Sequence, residues 1–168
     1  RWKTAHFQSQ LRRFTQPLWL GDEDLTSKTI LLHSEQGLGD SIQFCRYIKF
    51  FQSMECRALL EIERPHISLM QSLLPEECIF EKGGCLPPFD YHCPLMSLPR
   101  AFRTTFENIP YSTPYLKPET NRTNFWVNKI KKVHKPVVGI AWRGNLDHVN
   151  DKFRSMNLAE IISFLSDD

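Results

Sequence analysis

Short apolar runs alternate with longer stretches of helical period along most of this chain. Ile30-Leu31-Leu32 is a β-compatible run that stops at the turn Gln36-Gly37-Leu38-Gly39-Asp40, predicting a strand over Thr29–Ser34. Ile42, Cys45, Ile48 and Phe51 then recur on one helical face and predict a helix from about Asp40 to Met54, with Asp40 as its N-cap. A second strand is expected at Ala58–Glu63, and Pro65 opens a second helix carrying Leu69, Leu73 and Leu74 as far as Pro75. Shorter strands are expected at Cys78–Phe80 and Asp90–Cys93.

Beyond them, Pro99, Pro110 and Pro114 break up the chain from Leu95 to Tyr115. Helical pattern resumes from about Glu119 to Val133. The apolar run Pro136–Trp142 predicts another buried strand, followed by a polar loop from Arg143 to Ser155 and an amphipathic helix capped by Asn157. Strands alternating with helices argue for an α/β, Rossmann-like parallel sheet with flanking helices. The loop after Trp142 is longer and richer in hydrogen-bonding groups than a structural connection needs, which points to a ligand.

Ahead of the first strand, Trp2, Phe7, Leu11, Phe14 and Trp19 stand among basic residues, and Gly21-Asp22-Glu23-Asp24 forms an acidic turn. Residues 1–26 therefore read as the tail of a preceding helical region and a linker. Residues 27–134 read as a first domain, and residues 135–168 as the start of a second. A chain of 168 residues that begins on Arg1 and closes just after a helical pattern is expected to be a fragment.

Composition narrows the function only modestly. A net charge of +2 is too small to argue for a nucleic-acid partner. No stretch reaches the roughly 20 apolar residues of a membrane span. Cys45, Cys56, Cys78, Cys85 and Cys93 are odd in number and never spaced C-x-x-C, which suits reduced thiols and a soluble, cytoplasmic protein. His92 and Cys93 are adjacent on a strand and point to opposite faces, so no metal site is expected.

Gly37-Leu38-Gly39 followed by Ile42 approximates a dinucleotide-binding turn, and Glu61 or Glu63 stands where a ribose-binding acid would. Two features oppose that reading. Ile42 replaces the third glycine, and the Asp40 carboxylate would face an incoming pyrophosphate at a cost on the order of kcal/mol. A carboxylate there suits a neutral hydroxyl better, because it can take the proton as the oxygen attacks an electrophile. Asp40 is thus a candidate general base, with helix capping as its structural alternative.

The runs QPLWLGDEDLTSKTILLHSEQGLGDSIQFCRYI, LPPFDYHCPLMSLPRAF, IPYSTPYL and VGIAWRGNLDHVNDKFRSMNL together span nearly the whole chain. They resemble the glycosyltransferase-like region of bacterial tetratricopeptide-repeat proteins. That region is similar to the heptosyltransferase group and, more distantly, to the repeat-bearing O-linked N-acetylglucosamine transferases. The resemblance implies a GT-B architecture: two Rossmann-like domains facing a cleft, with the acceptor on the first and a nucleotide-sugar donor on the second. It also implies tetratricopeptide repeats ahead of Arg1, an acceptor hydroxyl on a sugar or protein, and metal-independent transfer without a cofactor.

By position, the resemblance makes Asp40 the base and puts Gln36, Gly37 and Gly39 beside the acceptor. It assigns Arg143, Gly144, Asn145, Lys152, Arg154 and Ser155 to the donor phosphates, with Arg154 and Lys152 as charge partners. Arg143-Gly144 stands where heptosyltransferases carry a Thr-Thr-type phosphate contact. His33 and His92, near the expected carboxyl edge of the sheet, are candidates to bind the acceptor or to serve as core histidines. A solvated loop remains the alternative for the basic residues, and a non-catalytic scaffold the alternative for the whole.

Overall fold

A computed structural model describes residues 12–35, 37–110, 114–131, 136–146 and 150–165. The chain divides into two compact units, Arg1–Thr123 and Asn124–Asp168. The division falls upstream of the domain boundary expected after residue 134.

The first unit is built on four parallel strands: β1 (Thr29–His33), β2 (Arg57–Ile62), β3 (Ile79–Glu81) and β4 (Tyr91–Pro94). Their order is β3-β2-β1-β4. β1 and β2 are the inner strands, each with a neighbour on both sides; in β1, Leu31 pairs with Leu59 of β2 and with His92 of β4. Ile30, Leu31 and Leu32 are fully buried, as the continuous apolar run of a two-sided parallel strand requires. Leaving β1, the chain steps outward to β2 and β3, then returns to the other side of β1 as β4. The reversal puts a topological switch point between the carboxyl ends of β1 and β4, where open α/β sheets bind ligands. All four strands lie within a residue or so of their expected positions.

The helix expected over Asp40 to Met54 is instead broken into α1 (Leu38–Phe44), a 3₁₀ turn (Cys45–Tyr47) and α2 (Ile48–Gln52). The apolar positions repeat every three residues, whereas an α-helix turns every 3.6, so a strict triplet drifts off the buried face. One tighter turn at 3.0 residues restores it and keeps Cys45, Ile48 and Phe51 buried. The second helix is likewise short, a 3₁₀ turn (Arg64–His66) leading into α3 (Ile67–Met70).

The proline-rich stretch after β4 carries α4 (Leu98–Ala101), with Pro99 in the first turn, where its missing N–H costs nothing. Pro17, Leu18 and Trp19, inside the expected linker, run parallel to β4: Trp19 N donates to His92 O at 2.9 Å and His92 N to Pro17 O at 3.1 Å. The Trp19 indole is buried edge-on against Phe51 and Phe102, and its Nε1 donates to Glu23 O.

A further helix, α5, spans Thr120–Ile130 and exposes Phe125, Trp126 and Ile130. In the second unit, Pro136–Trp142 does not form the strand its apolar run predicts. Val137 and Val138 are exposed, and no strand is found among the described residues of this unit. A strand needs a neighbour for its N–H and C=O groups, and β-propensity alone does not supply one. The closing helix α6 (Leu158–Leu165) forms as expected, with Asn157 Oδ1 accepting from Ala159 N at 3.0 Å. Among the described residues no helix is long and apolar enough to cross a membrane.

Candidate functional site

The carboxyl edge of β1 leads through Ser34 and Glu35 into the turn before α1. Gln36, one of the expected acceptor contacts, lies outside the described residues. Gly37 caps α1 with φ 30° and ψ 132°, a left-handed conformation that glycine tolerates. The expectation that Asp40 is the N-cap is therefore corrected. Asp40 is the third residue of α1, its backbone N–H donates to Gly37 O at 3.1 Å, and no side chain caps this helix end. The Asp40 carboxylate folds back over the turn, so that a Cβ added to Gly37 would meet Oδ2 at 3.0 Å. Gly37 thus supplies both the turn and the room for the carboxylate. Gly39, by contrast, has open space where a Cβ would stand.

Asp40 is half-buried, next to Ser41, which is 2% exposed. Ile42, which replaces the third glycine of a dinucleotide-binding turn, lies at 36% exposure, so its bulk does not separate α1 from the sheet.

Behind the turn stands a carboxylate that the sequence marked only as a possible ribose ligand. Glu63, just past β2, accepts from Ser34 Oγ at 2.8 Å, Ser41 Oγ at 3.2 Å and Lys82 Nζ at 3.1 Å. Burial alone would raise its pKa, but the Ser34 hydroxyl, its own backbone amide and Lys82 together hold it below the ordinary value. Lys82 also donates to Glu35 O at 3.2 Å. Glu61 is fully buried and engaged by the Arg12 guanidinium and by Gly83 N at 3.0 Å. Neither acid is left to hold a ribose as the structure stands.

His33 and His92 are brought together on neighbouring strands, with His33 Nε2 3.2 Å from His92 Nδ1. Phe14 lies against both rings, at centroid distances of 5.2 and 4.8 Å, and the Arg12 guanidinium stacks on Phe14. Phe14 thus covers part of both imidazole rings. Burial, followed by the nearby His92 and Arg12, pushes the His33 pKa down to about 3, and burial also lowers that of His92.

In the second unit, the loop after Trp142 joins three of its six expected donor contacts. Gly144 N donates to Ser155 Oγ at 3.4 Å, and the Arg154 guanidinium lies so close over Gly144 that a Cβ there would overlap it. Ser155 Oγ donates in turn to Asp151 Oδ1 at 2.6 Å, a contact the sequence reading missed. Arg143, Asn145 and Lys152 are exposed, and the Lys152 ammonium sits over the Phe153 ring at 4.8 Å. Residues 147–149 of this loop lie outside the described residues. The spacing of Asp151 and Ser155, four apart beside a turn, was the available signal for their contact.

No family model, no curated protein and no solved structure matches this chain.

Proposed function

We propose that this chain carries the acceptor side of a GT-B-type glycosyltransferase, with Asp40 as the general base. The observation that carries the reading is the Asp40 carboxylate. It stands at the start of the helix that leaves β1, beside the switch point of a parallel sheet, half-buried and without a capping role. A carboxylate so placed can accept a proton from an acceptor hydroxyl while the oxygen attacks the anomeric carbon of a nucleotide-sugar. The new C–O bond forms as the bond to the diphosphate breaks. In the second unit, Arg154 and Lys152 are the candidates to bind a diphosphate.

A non-catalytic binding module is the second reading, and one observation favours it. Asp151 puts a carboxylate inside the loop assigned to donor phosphates, where it holds the Ser155 hydroxyl. An arriving diphosphate would have to displace that contact and tolerate the charge.

Calorimetric titration of the full protein with nucleoside diphosphates separates the two. The transferase reading expects saturable binding that weakens about tenfold or more in Arg154→Ala, the loss of one charge-assisted contact to phosphate. Absence of binding, or binding indifferent to Arg154, would leave the scaffold reading standing.

A further inference from the structure

We propose that Glu63 is the positioning residue of the Asp40 turn. This rests on the reading of Asp40 as a base, and it extends that reading to a residue that touches neither substrate.

Ser34 and Ser41 stand at the two ends of the segment that carries Gly37 and Asp40. Both are 2% exposed, and a buried hydroxyl needs a partner. They share one: Ser34 Oγ donates to Glu63 Oε1 at 2.8 Å, and Ser41 Oγ donates to Oε2 at 3.2 Å. A single carboxylate therefore ties the exit of β1 to the first turn of α1. Lys82 adds a third tie from the carboxyl end of β3, since its ammonium reaches both Glu63 Oε1 at 3.1 Å and the carbonyl of Glu35 inside the turn at 3.2 Å.

Ser41 follows Asp40 directly, so anchoring its side chain fixes how α1 is rotated about its own axis. That rotation sets the direction in which Asp40 projects. Hydrogen bonds to a charged acceptor are the stronger kind, and catalytic groups depend on such support to hold their geometry. α1 has only seven residues, no side-chain cap and Ser41 as its buried residue, so Glu63 holds its N-terminal end while the buried 3₁₀ turn and α2 hold the other.

Amide hydrogen exchange on the full chain tests the tie directly, in the wild type, Glu63→Ala, Glu63→Gln and Ser41→Ala. The amides of Asp40 and Ser41 both donate to Gly37 O. They are expected to exchange about tenfold faster in Glu63→Ala, with the amides of Leu31 and Leu60 unchanged. Glu63→Gln should recover part of the protection, because its amide oxygen still accepts one hydroxyl. Ser41→Ala should loosen the same amides without altering Glu63, which guards against a misfolded Glu63 variant.

Unchanged exchange in both alanine variants would overturn the proposal, as would an equal rise in the strand amides. In a wild type that turns over, kcat should fall in Glu63→Ala while the acceptor KM holds; an unchanged kcat would overturn the positioning role even if exchange rises. An inactive wild type counts against the transferase reading alone, and the exchange data still decide whether Glu63 holds the turn.

Discussion

His33 and His92 meet ring to ring across β1 and β4, Nε2 to Nδ1 at 3.2 Å, under the Phe14 side chain. One nitrogen must donate and the other accept, so the contact needs at least one neutral ring. Burial first, and after it the nearby His92, Arg12 and Lys82, work against a proton on His33. The His33 pKa is depressed to about 3 from an unfolded value near 6.5. Between those values the unfolded chain takes up a proton that the folded chain refuses. Stability is therefore present above pH 6.5 and is lost as pH falls toward 3, with a limiting slope of about 1.4 kcal/mol per pH unit for one proton. The lowered values of His92 and Glu63 act in the same direction, Glu63 at the acid end. Urea midpoints measured from pH 7 to 4 should fall steadily, and in His33→Leu the fall between pH 6.5 and 5 should be visibly shallower. Equal slopes in the two proteins would remove His33 from this role.

Asp40→Asn keeps the size of the side chain and removes its ability to take a proton. If Asp40 is the base, kcat should drop by about 100-fold or more, the usual worth of a positioned general base, with donor affinity nearly unchanged. Initial rates combined with donor titration separate the two quantities. Retained turnover would leave Asp40 a structural residue of the turn.

Gly21 approaches the backbone of Ala101 so closely that an added Cβ would overlap the Ala101 carbonyl oxygen, and its φ is +98°. Both the contact and the dihedral exclude a side chain. Gly21→Ala should therefore destabilise the first unit by about 2 kcal/mol or more, read from chemical denaturation. A wild-type midpoint would show that the segment next to β4 is loosely held.

Two apolar runs that look alike in the sequence should behave in opposite ways. Leu31 is fully buried at the centre of the sheet, whereas Val138 is 73% exposed. Leu31→Ala should cost about 3 kcal/mol, in line with other large-to-small core changes. Val138→Ala should stay within about 0.5 kcal/mol, as surface changes do. A large loss at Val138 would contradict its exposed placement.

The four strands of the first unit, the Gly37 turn and the Asn157 cap were legible in the residues alone. Each depends on local chemistry: an apolar run bounded by turn residues, a residue free to take positive φ, or a side-chain oxygen beside unpaired N–H groups. It also brought Asp40, Gly37 and His33 to the carboxyl edge of β1, because a strand followed by a short turn leaves little choice of place. The rest came from how distant segments pack together. The strand order sets β4 against β1 and so joins His33 to His92, and the Ser34–Ser41 segment, Glu63 and Lys82 meet from three separate stretches of chain. Pairing is a property of two strands, which is why Ile30-Leu31-Leu32 became the centre of a sheet while Val137-Val138, with no neighbouring strand among the described residues, did not.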